Sequence, residues 1–118
     1  MKQEIEQVYA LADGGMALRE LMEAIGKVLA RHPEALQGIT YSYRLQAEDT
    51  GYRMAFSLVN GRFSLLGAME KVDVLVMGKE ENLLRVLQRK LAPLTALLLG
   101  KIKVFGNKAA LMKLAEFL

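Results

Sequence analysis

The 118-residue sequence contains no cysteine and a single histidine, His32. Without cysteine the chain has neither a disulfide framework nor a thiolate metal site, and one histidine has no second ligand with which to hold a metal ion. The sequence also lacks a Gly-x-Ser-x-Gly nucleophile motif and a Walker phosphate-binding loop. We therefore expect no metal, no cofactor and no enzymatic activity, and we interpret His32, which precedes a proline at a helix end, as a surface residue.

Long apolar runs are also missing, and this bounds the class of protein. No run approaches the roughly 18 residues that a membrane-spanning helix requires, and the N-terminal segment is too acidic for a signal peptide. Hydrophobic residues make up 53% of the sequence and charged residues 25%, as is typical of globular proteins. We predict one soluble, cytoplasmic domain, residues 1–118, in which residues 1–14 form an N-terminal helical extension.

The net charge of +3 comes without a dense basic stripe. A nucleic-acid-binding protein usually has such a stripe, with exposed aromatic residues between the charges. We interpret the basic residues of the second half as a solvated surface and predict no nucleic-acid partner. The alternative is a weak, transient attraction to anionic membrane surfaces. The residues concerned are scattered: Arg85, Arg89, Lys90, Lys101, Lys103 and Lys108.

Apolar residues at helical spacing predict two helices in the first third of the chain. The second has an apolar stripe from Leu18 to Leu29, with charged residues outside it. His32-Pro33 ends this helix, because the residue before a proline avoids the helical region. In the first helix the i, i+3, i+4, i+7 pattern of one face is formed by Ile5, Val8, Tyr9 and Ala12.

From Ile39 onward the apolar period changes to two, which predicts β-strands. Asn60-Gly61 is the strongest short signal for a hairpin turn. The two registers that place all large apolar residues on one face pair Tyr43 with Phe56, and Phe56 with Leu65. A slip of one residue would break that agreement. The sequence therefore predicts a three-stranded meander with one apolar face.

The remaining apolar residues predict two further strands, Val72–Met77 and Lys101–Phe105, each followed by a helix. Pro93 opens an additional short helical turn between them, and Asn107 is placed to cap the last helix. The helix after Val72–Met77 would carry Leu83, Leu84, Leu87 and Leu91 on one face. The last helix would carry Leu111, Leu114, Ala115 and Leu118 on one face.

Two segments of this second half resemble a known family. LAPLTALLLGKIKVFGN (residues 91–107) and VDVLVMG (residues 72–78), with its Glu-rich continuation, are similar to segments of the sterol carrier protein-2 family, and the resemblance covers about residues 16–118. It implies an α/β (α+β) fold with a five-stranded mixed sheet, helices on one face, and an apolar cavity between the layers. Family members bind or move sterols, fatty acyl chains, phospholipids or isoprenoid quinones.

The resemblance makes the leucine and methionine surplus a candidate ligand site, although periodicity alone favours a simple packed core. Three tyrosines on the same sheet face, Tyr41, Tyr43 and Tyr52, are either core residues or include one hydroxyl that meets the polar head of a ligand. The candidate ligand-binding residues are Met54, Phe56, Leu58, Leu84, Leu87, Leu91, Leu94, Leu97, Leu98, Ile102, Val104, Leu111 and Leu114.

We predict a non-enzymatic carrier that binds and transfers a lipid or another apolar molecule, held in an apolar tunnel. The alternative is an accessory module that docks on an enzyme or on a membrane-associated complex, such as one of isoprenoid-quinone synthesis. The outer face of the sheet would be apolar enough to predict a partner surface or a homodimer. The residues expected there are Val59, Leu66, Leu75, Met77 and Phe105.

Overall fold

The computed structural model describes residues 1–67 and 70–118. A short 3-10 helix, Pro33–Leu36, joins the second helix to the first strand. The other elements follow the predicted order: α1 (Lys2–Ala12), α2 (Leu18–Arg31), β1 (Tyr41–Ala47), β2 (Arg53–Val59), β3 (Arg62–Leu66), β4 (Val74–Gly78), α3 (Glu80–Leu87), α4 (Pro93–Leu98), β5 (Ile102–Gly106) and α5 (Lys108–Ala115).

The strands form one mixed sheet in the order β3-β2-β1-β4-β5. β1 and β4 are parallel, and the other neighbouring pairs are antiparallel. The predicted five-stranded mixed sheet is therefore confirmed. β1 lies at its centre, since the β2-β3 hairpin extends one side and β4 and β5 extend the other.

Both predicted registers of the meander are confirmed, including the pairing of Tyr43 with Phe56. Asn60 and Gly61 both have positive φ, 50° and 83°, as a two-residue type I′ hairpin turn requires. The rings of Tyr43, Phe56 and Phe63 stack across the three strands, with centroids 5.2 Å and 5.3 Å apart. The apolar face predicted from alternation is thus a continuous aromatic and aliphatic surface.

α2 provides the centre of the core above this face. A side chain at Gly26 would place its Cβ 3.1 Å from the Phe63 ring, so the glycine lets α2 approach β3 closely. Fully burying one large aliphatic side chain contributes about 1.5–3 kcal/mol. The predicted apolar stripe of α2 is at most 4% exposed at Leu18, Leu21, Met22, Ile25, Val28 and Leu29.

α1 packs on α2 and is held there by a polar cluster as well as by buried Ile5. Arg31 donates a hydrogen bond of 2.5 Å to the Glu4 carboxylate, and His32 Nε2 contacts its other oxygen. These two hydrogen bonds hold the pKa of Glu4 below its usual range, and the bond from Arg31 has the larger effect. His32 also lies 3.2 Å from Glu34 through Nδ1, so its contacts give it a structural role.

α3 is shorter than the leucine spacing predicts. It ends at Leu87, and Arg89 follows with a positive φ of 60°. The Lys90 amide donates to the Arg85 carbonyl at 2.8 Å and the Arg89 amide to the Val86 carbonyl at 3.1 Å. This is the Schellman arrangement, in which the left-handed position is usually glycine. Because an arginine occupies it, the sequence shows no stop signal there.

The start of β4 also differs from the prediction, whereas the cap of α5 agrees with it. Ser42 and Asp73 exchange main-chain to side-chain hydrogen bonds of 2.7 Å and 2.9 Å. The strand proper begins only after this pair, at Val74. The Asn107 side chain accepts a hydrogen bond from the Ala110 amide at 3.1 Å, as predicted for a helix cap. Along residues 1–67 and 70–118, no helix is long and apolar enough to cross a membrane.

Gly61→Ala should destabilise the protein more than Gly51→Ala. Both glycines have positive φ, 83° and 78°, so alanine costs about 1–2 kcal/mol at either position. A Cβ at Gly61 would also lie 2.7 Å from the main-chain carbonyl carbon of Leu36, whereas a Cβ at Gly51 meets nothing within 4 Å. We expect an additional loss of about 2 kcal/mol or more for Gly61→Ala in urea unfolding. Equal losses would contradict this account of the turn.

Candidate ligand cavity

A cavity of about 360 Å³ lies between the apolar face of the sheet and the helices that cover it. Small-molecule sites commonly enclose about 300–1,000 Å³, so the cavity is large enough to hold part or all of a small apolar ligand.

The inner wall of the cavity consists of buried apolar side chains. Residues two apart on a strand, or directly paired across strands, share one face of a sheet, and the sheet residues of the wall are related in this way. The sheet contributes Tyr43, Leu45, Phe56 and Val76, and α2 contributes Met22 and Ile25, each at most 9% exposed.

The outer wall is formed by the C-terminal third of the chain and is less well covered. We call residues 88–92, which join α3 to α4, the α3–α4 connection. Two of its residues, Arg89 and Ala92, are exposed. The cavity is therefore less closed on the side of this connection, and we call that side the opening. The wall residues on this side are Leu83, Val86, Leu87, Arg89, Leu91, Ala92, Pro93, Leu111, Leu114, Ala115 and Leu118.

Among the described residues, charge reaches the cavity only through Arg89, which is exposed. Arg44 also borders the cavity, but strand alternation directs its side chain to the opposite face of the sheet, where it donates to the Glu70 carbonyl. Burial raises the pKa of the Tyr9 hydroxyl to about 12, and the nearby Arg89 cation opposes this shift. Arg89 thus lies within electrostatic reach of Tyr9, whose hydroxyl is 3.4 Å from the Leu118 carbonyl.

The tyrosine hydroxyls do not provide a free donor inside the cavity. Tyr43 donates its hydrogen to the Ala110 carbonyl of α5 at 2.8 Å, and burial raises the pKa of this hydroxyl above its ordinary value. Tyr41 and Tyr52 do not border the cavity. The Arg19 guanidinium instead lies over the Tyr52 ring, with its central carbon 4.9 Å from the ring centroid.

The structure brings five of the thirteen candidate ligand-binding residues together on the cavity wall. They come from β2, α3, the α3–α4 connection and α5, so their common location depends on the fold and not on their spacing in sequence. These five are Phe56, Leu87, Leu91, Leu111 and Leu114.

The other eight candidates lie elsewhere. Leu58 and Ile102 are at most 2% exposed and belong to the packed core. Leu84, Leu97 and Val104 are partly buried against that core. Met54 borders a separate surface depression between β2 and β3. Leu94 and Leu98 are 60% and 79% exposed, so the face of α4 on which they were expected to line a ligand site points to solvent.

Sequence reasoning missed most of the inner wall. The apolar stripe of α2 was recognised, but no local signal shows that Met22 and Ile25 border a cavity whereas Leu18 and Leu21 do not. Ala115, at the end of α5, was placed on the apolar face of its helix without being assigned to the site.

A helix-covered mixed sheet with an open apolar cavity between its layers defines a small α+β ligand-binding domain. No group of three or more His, Cys, Asp or Glu side chains that could hold a metal occurs in the described part of the chain. The chain belongs to the SCP-2 sterol transfer family, whose sequence profile matches residues 9–118. The family predicted from the sequence is therefore confirmed. No curated protein sequence matches the chain.

Solved structures with this fold come from proteins of different roles. The stereoselective inverting sec-alkylsulfatase Pisa1 from Pseudomonas sp. has a TM-score of 0.69 at 24% identity, covering 80% of this chain and 16% of that one. Palmitated SCP2L2 from Aedes aegypti has a TM-score of 0.59 at 22% identity, covering 86% of this chain and 93% of that one. The UbiJ-SCP2 ubiquinone synthesis protein has a TM-score of 0.54 at 17% identity, covering 76% of each chain.

At these identities the likeness establishes the fold alone. The chain spans 16% of the alkylsulfatase, so the reaction of that enzyme is not carried over to this domain. The match to SCP2L2, in contrast, extends over nearly the whole of both chains.

Tyr43→Phe should cost about 1 kcal/mol of stability at neutral pH, because the variant loses the buried hydrogen bond from the Tyr43 hydroxyl to the Ala110 carbonyl. This advantage of the wild type should shrink as the pH rises above 10. The pKa of Tyr43 is raised in the folded state, so its contribution is complete below the unfolded pKa and is lost as the pH approaches the folded one.

Urea unfolding of wild type and Tyr43→Phe across alkaline pH measures this difference, and Tyr41→Phe serves as the control. Both proteins also lose lysine ion pairs at alkaline pH. This shared loss cancels when the free energy of unfolding of the variant is subtracted from that of wild type. A stability difference that stays constant above pH 10 would show that the Tyr43 hydroxyl is not held in the neutral form by burial.

Proposed function

We propose that this protein is a non-enzymatic carrier that binds one apolar molecule in the cavity and releases it unchanged. The observation that supports this most directly is the wall itself. Apart from Arg44 and Arg89, the described residues that border it are apolar or aromatic, and Arg89 is exposed at the opening. Among the described residues, this wall offers hydrophobic burial and no group for covalent chemistry.

The preferred ligand class is a molecule with an apolar chain and a polar or anionic head. The chain would enter the cavity, where each buried CH₂ contributes about 0.8 kcal/mol. The head would remain at the opening near Arg89, because the Tyr43 hydroxyl on the inner wall is already bonded to Ala110. A fatty acid fits this description, and the similar SCP2L2 structure is that of a palmitated protein. Sterol-like, phospholipid and isoprenoid ligands are the other classes considered.

Flexible side chains at the opening favour a site that adapts to several ligands. Leu87, Leu91 and Leu111 are half-buried and have incomplete protein contacts on the cavity side. A ligand supplies those contacts and binds only the folded state, so it should also stabilise the protein.

An accessory module remains the second candidate. The similar fold of a ubiquinone synthesis protein supports this hypothesis. Native mass spectrometry distinguishes the two functions. A co-purifying apolar mass that occupies the cavity favours the carrier, whereas an empty chain retained with a protein partner favours the module.

Homodimerisation through the outer sheet face also remains a prediction. Phe105 and Val59 are 53% and 57% exposed there. However, Arg44 lies between Ala55 and Leu75 in the register of the same face. A dimer would have to cover this cation, which disfavours the proposal.

Ala115→Phe should weaken ligand binding, whereas Ala109→Phe should not. Both alanines lie on α5, but Ala115 borders the cavity and Ala109 is exposed. A fluorescent fatty-acid analogue should bind wild type at micromolar affinity, roughly −8 kcal/mol. The added ring should cost about 1–3 kcal/mol of binding, which is about 5- to 150-fold in affinity. Fluorescence titration of the delipidated proteins measures the change.

Circular dichroism and urea unfolding of both variants establish that each is folded before binding is compared. Equal affinities for Ala115→Phe and Ala109→Phe would place the ligand outside this cavity. Absence of saturable binding by wild type across acyl, sterol and isoprenoid probes would exclude the carrier function.

A further inference from the structure

α4 presents leucines to solvent on the face where a surface helix normally has polar residues. Ala96 is fully buried and anchors the helix on the domain. On the other side Leu94, Leu98 and Leu99 are 60%, 79% and 63% exposed. Leu94 and Leu98 are four residues apart and therefore share one helix face. We call these three residues the leucine ridge.

The ridge lies in a segment that carries charge of one sign only. Residues 82–115 contain seven Lys and Arg residues and no Asp or Glu, whereas residues 1–81 have a net charge of −3. In that segment Lys90 pairs with Asp13 and Lys103 with Glu48. The other cations, Arg85, Arg89, Lys101, Lys108 and Lys113, are without an ion pair to any described residue.

The cations also border the ridge in the chain. Arg89 precedes α4 and Lys101 follows Leu99 by two residues, and both are exposed. Exposed aliphatic side chains between cations are the chemistry of surfaces that insert shallowly into anionic lipid headgroups.

The ridge begins directly after two residues that border the cavity. α4 begins at Pro93, and Pro93 and its neighbour Ala92 both border the cavity. A flat apolar surface that met the ridge would therefore lie beside this part of the cavity wall. A ligand could then pass between surface and cavity without crossing water.

We infer that the leucine ridge docks this protein on the surface of a membrane containing anionic phospholipids. Leu94, Leu98 and Leu99 enter the region between headgroups and acyl chains, and Arg89 and Lys101 contact lipid phosphates. The role of this docking in ligand exchange rests on the proposed carrier function; the docking itself does not.

A lipid surface fits the observations better than a protein partner. Protein interfaces usually depend on aromatic and arginine anchors set in complementary pockets, whereas the ridge is purely aliphatic. The charges of residues 82–115 are spread over α3, β5 and α5 and the connections beside α4. A diffuse positive field matches a diffuse negative surface and needs no specific pairing.

Co-sedimentation with vesicles tests the inference. The protein is mixed with vesicles of phosphatidylcholine alone, or of phosphatidylcholine and phosphatidylglycerol in equal parts, at low and high salt. We expect binding to the mixed vesicles that weakens as salt is added. The double variant Leu94→Gln/Leu98→Gln should bind at least about tenfold more weakly, because the apolar area that enters the bilayer is lost.

Leu65→Gln is the matched control, since Leu65 is 69% exposed on β3, at the edge of the sheet opposite to β5, the strand that α4 contacts. It should bind vesicles like wild type. For charge, Lys101→Gln should weaken binding by about fivefold, whereas Lys27→Gln, which removes one exposed cation of α2, should have little effect. Both leucine variants should still bind a fluorescent fatty acid in solution, because these side chains lie outside the cavity.

Several results would overturn the inference. One is vesicle binding by the double variant equal to wild type, and another is wild-type binding that does not depend on anionic lipid. A third is a lipid-free dimer of wild type in analytical ultracentrifugation that the double variant abolishes, since a second copy would then cover the ridge. Failure of acyl, sterol and isoprenoid probes to bind in solution, with vesicle binding as expected, would refute the carrier function and leave the docking inference intact.

Discussion

The structure depends on one constraint, which is that the apolar face of the sheet must be removed from water. Tyr43, Phe56 and Val76 project from three adjacent strands onto this face, and a sheet cannot bury them by itself. α2 covers one part with a continuous apolar stripe that is almost completely buried. The other part is covered by α3, α4 and α5, which are six to eight residues long. Because α2 is longer than α3, α4 or α5, the core is closed beneath α2 and remains partly open beneath the three short helices.

The cavity results from this incomplete cover. α3 ends at Leu87 in a left-handed turn at Arg89, so no helical turn continues over the sheet toward Leu91. The side chains left around the gap lack packing partners on one side, and this costs dispersion energy in the empty protein. A bound apolar molecule would restore those contacts. Binding and stability are therefore expected to be coupled, as in any protein whose ligand completes its core.

The segment from Leu87 to Leu99 combines two features that are separate in many proteins. Its first part lies at the opening, and its second part carries the exposed leucines of α4. Ala96, within α4, is fully buried and holds this short helix in place. An interaction at the ridge would consequently act next to the route by which a ligand enters or leaves, which links surface recognition to the cavity by geometry alone.

Local sequence determined a large part of this fold. The period of two, together with Asn60-Gly61, allowed only the registers that the structure has, because a slip of one residue would turn the apolar residues outward. The stripe of α2 and the Asn107 cap were equally visible, since each depends on residues within a few positions of one another.

Tertiary structure decided which of the leucines meet the cavity. Helical spacing shows that Leu94 and Leu98 share a face, but in a six-residue helix it does not show whether that face turns inward. The end of α3 was hidden because arginine, and not glycine, occupies the left-handed position. The partner of the Tyr43 hydroxyl lies 67 residues away on α5. Local periodicity is a property of neighbouring residues, whereas a cavity is a gap between distant elements, and its position exists only after those elements have packed together.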